Sequence, residues 1–131
     1  MAKEIYFKGK TLDELKNMSI DELKPLLDAR TRRTLDRGFT DAQKRLLLKI
    51  DKAIAGKYKK SVKTHCRDMV ILPKMIGLTI HVHKGNAFEK FEINSEMIGH
   101  RLGELALSRK RIQHSAPGIG ATKSSSAASV K

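Results

Sequence analysis

Leu78-Thr79-Ile80-His81-Val82-His83-Lys84-Gly85-Asn86-Ala87-Phe88-Glu89-Lys90-Phe91-Glu92-Ile93 reads as a strand, a turn and a return strand. Residues 78–83 alternate apolar with polar, the period of a strand that buries one face. Lys84-Gly85-Asn86 supplies the turn, with glycine where the backbone takes a positive φ. Phe88, Phe91 and Ile93 carry the apolar pattern into the return strand. His81 and His83 share one face of the first strand.

Upstream, Val62, Thr64 and Cys66 alternate with Lys63, His65 and Arg67, a second strand with one inward face and one cationic face. Met69 to Leu72 is a short buried segment that turns at Pro73–Gly77. Before it, Thr40-Asp41-Ala42-Gln43 is a capping pattern. The helix it starts is expected to run to about Ala55 and stop at Gly56. Leu46, Leu47, Ile50 and Ile54 define its buried stripe, and Lys44, Arg45, Lys49 and Lys52 lie outside that stripe. Downstream, Asn94 or Ser95 caps a helix through Met97, Ile98, Leu102 and Leu105. Gly99 and Gly103 sit on it, and each costs about 1 kcal/mol in a helix interior, so close approach of another backbone is the expected compensation.

The N-terminal part echoes itself. Thr11-Leu12-Asp13-Glu14 and Ser19-Ile20-Asp21-Glu22 each place a hydroxyl three residues before a glutamate, the capping box of a helix start. Two short helices follow, the second limited by Pro25, and they need Leu12, Leu15, Ile20, Leu23, Leu26 and Leu27 packed on something else. Residues 28–39 read as a basic connector closed by Gly38. The fold class is therefore α+β. A helical extension and connector (1–38) precede a core domain (39–107), and a basic tail (108–131) follows.

The charge is lopsided. The chain of 131 residues carries 27 Lys and Arg against 14 Asp and Glu, a net +13. A surplus of that size repels itself unless a polyanion neutralises it, and nucleic acid is the commonest such partner. It falls in blocks: Arg30, Arg32, Arg33 and Arg37 against Asp36 alone, then Lys57, Lys59, Lys60, Lys63 and Arg67 against no acid. The third block is the tail, with Arg109, Lys110, Arg111 and Lys123, and no acid follows Glu104. Residues 1–29, with six acids and five bases, are near neutral and point to protein or solvent rather than RNA. The tail's small residues cannot bury enough to offset chain entropy, so it is expected to order on RNA.

Other functions are poorly supported. A single cysteine, Cys66, excludes an intrachain disulfide and nothing indicates an oxidising compartment. Neither a signal peptide nor a membrane-length apolar run is evident, so a cytoplasmic setting is expected. The histidines and Cys66 lack the paired spacing of a zinc site, and no metal or cofactor is expected. His65 and Cys66 are adjacent and so point to opposite faces of a strand. Two rival readings remain: an RNA-processing enzyme using His65, His81 or His83 as acid and base, and a protein-interaction module dominated by the N-terminal helices.

Three segments in order, Lys59-Lys60-Ser61-Val62-Lys63-Thr64-His65-Cys66-Arg67, Ile71-Leu72-Pro73-Lys74-Met75-Ile76-Gly77-Leu78-Thr79-Ile80-His81-Val82-His83 and Glu96-Met97-Ile98-Gly99-His100-Arg101-Leu102-Gly103-Glu104-Leu105-Ala106, resemble the small-subunit ribosomal protein S-nineteen family. The N-terminal helices and the tail Gln113-His114-Ser115-Ala116-Pro117-Gly118-Ile119-Gly120-Ala121-Thr122-Lys123 resemble its archaeal and eukaryotic form. The resemblance implies a three-stranded sheet and a non-enzymatic role in the head of the small ribosomal subunit, bound to 16S ribosomal RNA. It also implies a place beside the S-thirteen protein near a bridge to the large subunit, with the tail reaching toward tRNA. Carried onto this chain, it makes Lys59, Lys60, Lys63, Thr64, His65, Arg67, His81, His83, His100 and Arg101 RNA-contacting candidates. In the tail it adds His114, and Gly118 and Gly120 let backbone pass close to phosphates.

Overall fold

The structure is a computed structural model that describes residues 6–113. Two-residue strands β1 (Tyr6–Phe7) and β2 (Lys10–Thr11) form a small hairpin. Its Lys8-Gly9 turn has φ of 49° and 80°, the doubly left-handed turn that matches strand twist. Short helices α1 (Leu12–Asn17) and α2 (Ile20–Leu23) follow, each started by the expected capping box, Thr11 with Glu14 and Ser19 with Glu22. Pro25 turns the chain out of α2 through a tight 3-10 turn, Lys24–Leu26.

The expected connector is instead a helix, α3 (Ala29–Asp36). Asp28 caps it by accepting from the Arg30 and Thr31 N–H groups, and Thr31 and Leu35, four residues apart, form its buried side. Gly38, at φ 81°, ends it. The Thr31 side chain is the largest cause holding the Asp28 carboxyl below its ordinary range, followed by the two N–H bonds. A depressed folded pKa gives stability that is full above the unfolded value and lost as pH falls through the folded one. Asp28→Ala is therefore expected to cost about 1 kcal/mol near neutral pH. In urea unfolding the gap to wild type should narrow steadily as the pH drops through the carboxylate range.

Helix α4 (Asp41–Ile54) has the expected Thr40–Gln43 capping box and stops at Gly56, φ 69°. Gln43 is buried and works twice: its Oε1 accepts from the Thr40 N–H, and its Nε2 donates to Asp68 at 2.8 Å. The stripe is Gln43, Leu46, Leu47, Ile50 and Ala53; Ile54, expected inside, is 52% exposed, because at the end of the helix Ala53 rather than Ile54 faces the core. Ile20 is likewise more exposed than expected, at 40%.

A three-stranded sheet follows, ordered β3 (Val62–Thr64), β4 (Thr79–His83), β5 (Phe88–Glu92). Strand β3 is parallel to β4, so the chain must cross over between them, and Met69–Leu72 with the 3-10 turn Pro73–Met75 makes that crossover through the core. Strands β4 and β5 form the expected hairpin, with Gly85 at φ 113° in its turn. Val62, Thr64, Ile80 and Val82 point inward. Leu15, Leu23, Leu27 and Leu35 from the N-terminal helices join Leu46, Ile50, Ile71, Met75 and Ile93 in one core.

The last expected helix is broken in two. A 3-10 turn, Ser95–Met97, is separated from α5 (Leu102–Leu105) by Gly99 at φ 82°. Residues 99–103 lie antiparallel to 67–71, joined by Gly99 N–H to Ile71 O, Ile71 N–H to His100 O, Leu102 N–H to Met69 O and Gly103 N–H to Arg67 O. Extended pairing there competes with helix and wins.

Candidate nucleic-acid interface

The outer face of the sheet follows from strand parity. With Ile80 and Val82 inside, His81 and His83 face out. The register sets Lys63 on β3 and Lys90 on β5 beside His81, and Phe88 beside His83. The His65 and His83 ring centres lie 4.2 Å apart with planes tilted by 32°, and Phe88 meets them edge-on at 5.4 and 5.0 Å. The Lys63 ammonium sits 5.5 Å from the Phe88 ring centre. The Gly85 N–H donates to His83 Nδ1 at 3.3 Å, which fixes that ring and, while the bond lasts, leaves Nε2–H as its free donor. Glu92, at the far end of β5, is four residues from Phe88 on the same face, about 14 Å away. Glu89 points to the other side, where it pairs with Lys84 at 2.6 Å.

The other basic blocks are also outside. Arg30, Arg32 and Arg33 are exposed on α3 and Arg37 just past its end, and Lys57, Lys59 and Lys60 are exposed in the loop after α4. Arg109, Lys110 and Arg111 are exposed in the extended chain after α5. Among the described residues none of these ten cations has a carboxylate within salt-bridge distance; the ion pairs use Lys24, Lys44, Lys74, Lys84 and His100. Repulsion among them is left uncompensated by the protein itself.

Several of the sequence-selected residues are tied into the protein: the Arg32 guanidinium donates to the Leu27 carbonyl at 3.4 Å. Arg67 turns inward: its guanidinium donates to the carbonyls of His83 at 2.7 Å, Gly103 at 2.9 Å and Ala106 at 2.6 Å. Thr64 is buried and its hydroxyl accepts from the Cys66 N–H. Arg101 donates to Thr34 Oγ1, and His100 Nδ1 lies 2.6 Å from Glu104. The last two line a cleft of about 480 Å³ with Asp28, Arg30 and Thr31, a site of mixed rather than cationic charge. His114, Gly118, Gly120 and Lys123 lie outside the described residues.

Sequence reasoning missed Phe88 and Lys90 as parts of the face. Parity held the signal: Phe88 and Phe91 are three apart, so if one enters the core the other leaves it. Among the described residues the paired histidines have no carboxylate to orient them, and no three His, Cys, Asp or Glu side chains gather to hold a metal. What the arrangement offers is cations, rings and N–H donors, suited to phosphates and bases.

A family model described as ribosomal protein S19 matches residues 33–114. A protein named small ribosomal subunit protein uS19, from Saccharolobus solfataricus, is 49% identical over 124 residues, covering 94% of this chain and 89% of its own length. One of the same name from Cenarchaeum symbiosum is 46% identical over 125 residues, covering 95% of each chain.

Proposed function

This chain belongs to the ribosomal protein S19 family and is a non-enzymatic protein of the small ribosomal subunit, and from that premise we propose that it binds 16S ribosomal RNA through its outward cations. The observation that carries the reading is the set of exposed, carboxylate-free bases on α3, the loop after α4, the sheet face and the residues after α5. Helix α3 and strands β3 and β5 fix the backbone beneath Arg30, Arg32, Arg33, Lys63 and Lys90, so at these positions only side-chain freedom is given up when phosphates arrive. Arginine forks two donors onto a phosphate, and lysine supplies a point charge. In the same reading the protein sits in the subunit head beside the S-thirteen protein, near a bridge to the large subunit. The chain beyond Arg111 extends toward tRNA at the decoding region. The three family motifs and the glycines of the tail support this part.

The test is a salt titration of full-chain binding to 16S ribosomal RNA. Each phosphate neutralised contributes about 0.7 to 0.9 to the slope of log affinity against log salt. Changing Arg109, Lys110 and Arg111 together to Ala is expected to reduce that slope by about two to three, with the urea midpoint unmoved because all three are exposed. A flat slope in the wild type overturns the proposal.

A further inference from the structure

We infer that the outer face of the sheet, centred on His65, His83 and Phe88, is a stacking platform for one unpaired RNA base. The inference rests on the RNA-binding reading and names the chemistry it takes at this face. Three rings within 5.4 Å of one another give an apolar surface outside the core, and Phe88 is 36% exposed. A ring cluster so placed gains little from solvent, and every nucleobase has a matching π-face. Duplex RNA hides its base faces, so the fitting partner is an unstacked nucleotide.

Charge narrows the occupant further. Lys63 and Lys90 flank the rings on the two neighbouring strands, where the phosphates on either side of a stacked base would lie. The exposed Lys63 ammonium over Phe88 holds the ring face that a base would take, and its flexible stem lets it move aside to a phosphate. His83 Nε2–H, aimed by the Gly85 N–H on the opposite ring nitrogen, adds a donor for a phosphate or a base edge. The acid of this face, Glu92, is about 14 Å from Phe88 but about 7 Å from Lys90, two residues away, so Lys63 is the less compensated of the two flanking cations. An acidic or apolar protein segment would lack any use for the rings and cations together.

The experiment uses the full chain and two probes: a single-stranded hexauridylate carrying 2-aminopurine at a central position, and a fully paired blunt RNA duplex. Binding the single strand should quench the 2-aminopurine by stacking. Phe88→Leu keeps apolar bulk without a ring and should weaken single-strand binding about tenfold while abolishing most of the quench; duplex binding should change less than twofold. Phe88→Tyr restores the ring and should behave as wild type. The exposed His65→Ala, which risks the fold least, should also lose quench. If Phe88→Leu and His65→Ala bind and quench like wild type, the platform is refuted and the face belongs to a protein partner or to water, with salt-dependent RNA binding still standing. If the wild type binds neither probe, the wider reading fails as well.

Discussion

Arg67→Met is expected to destabilise the protein by about 3 kcal/mol in urea unfolding, without changing the salt dependence of RNA binding by the folded molecule. The guanidinium donates to three backbone carbonyls, on His83, Gly103 and Ala106. Two of these close the C-terminal turn of α5, where carbonyls lack helical partners and a cation is favoured by the helix dipole. The third ends β4, so one side chain ties the sheet to the last helix. Methionine fills much of the space and donates nothing. Each stranded carbonyl costs about 1–3 kcal/mol when buried, and partial exposure puts the sum near the lower end. Arg67→Lys should recover a minority of the loss, because a single ammonium cannot span carbonyls spread over a planar fork. A stable Arg67→Met protein whose salt slope drops by about one would return this residue to the RNA interface.

Arg67 also shows what a sequence can and cannot disclose. Its partners lie 16, 36 and 39 residues downstream. Alternation through Val62, Thr64 and Cys66 put it among the outward cations, but β3 ends at Thr64. The Thr64 hydroxyl accepting from Cys66 N–H bends the chain there, and parity is lost one residue later. Features set by neighbours in the chain were legible. All three capping boxes need only a hydroxyl and a carboxylate or amide three residues on, and all three formed. The β4–β5 hairpin was legible because Gly85 and the alternation of residues 78–83 agree. Helix α3 was obscured by its four arginines, although Asp28, Thr31 and Leu35 spell a cap and a buried side at helical spacing. Of the candidate interface, alternation places Lys63, His81 and His83 on one face, whereas Phe88 carries the same apolar character as its core-side neighbour Phe91 and only strand parity separates the two.

The other large effect is expected at Gly103. Alanine is the better helix former by about 1 kcal/mol, so propensity alone predicts that Gly103→Ala stabilises α5. Geometry reverses the sign. A Cβ at this position would meet the Arg67 carbonyl oxygen at 2.9 Å and the Arg67 Cβ at 3.0 Å. Neither can swing away as a side-chain tip would: the same carbonyl accepts from Gly103 N–H at 2.8 Å. Relief requires residues 67–71 and 99–103 to separate, which weakens four backbone hydrogen bonds and moves Met69 and Leu102, both almost fully buried. Overpacking of this kind costs about 1–3 kcal/mol, which against the propensity gain leaves a net loss of up to about 2 kcal/mol in urea unfolding, and more for Gly103→Val. The Arg67 guanidinium donates to the Gly103 carbonyl, so the two sites are coupled. In a double-mutant cycle Gly103→Ala should cost less in an Arg67→Met background, where the anchor holding the two segments together is already gone. Additive losses would mean that the contact is steric alone and that the guanidinium does not set the distance between the segments.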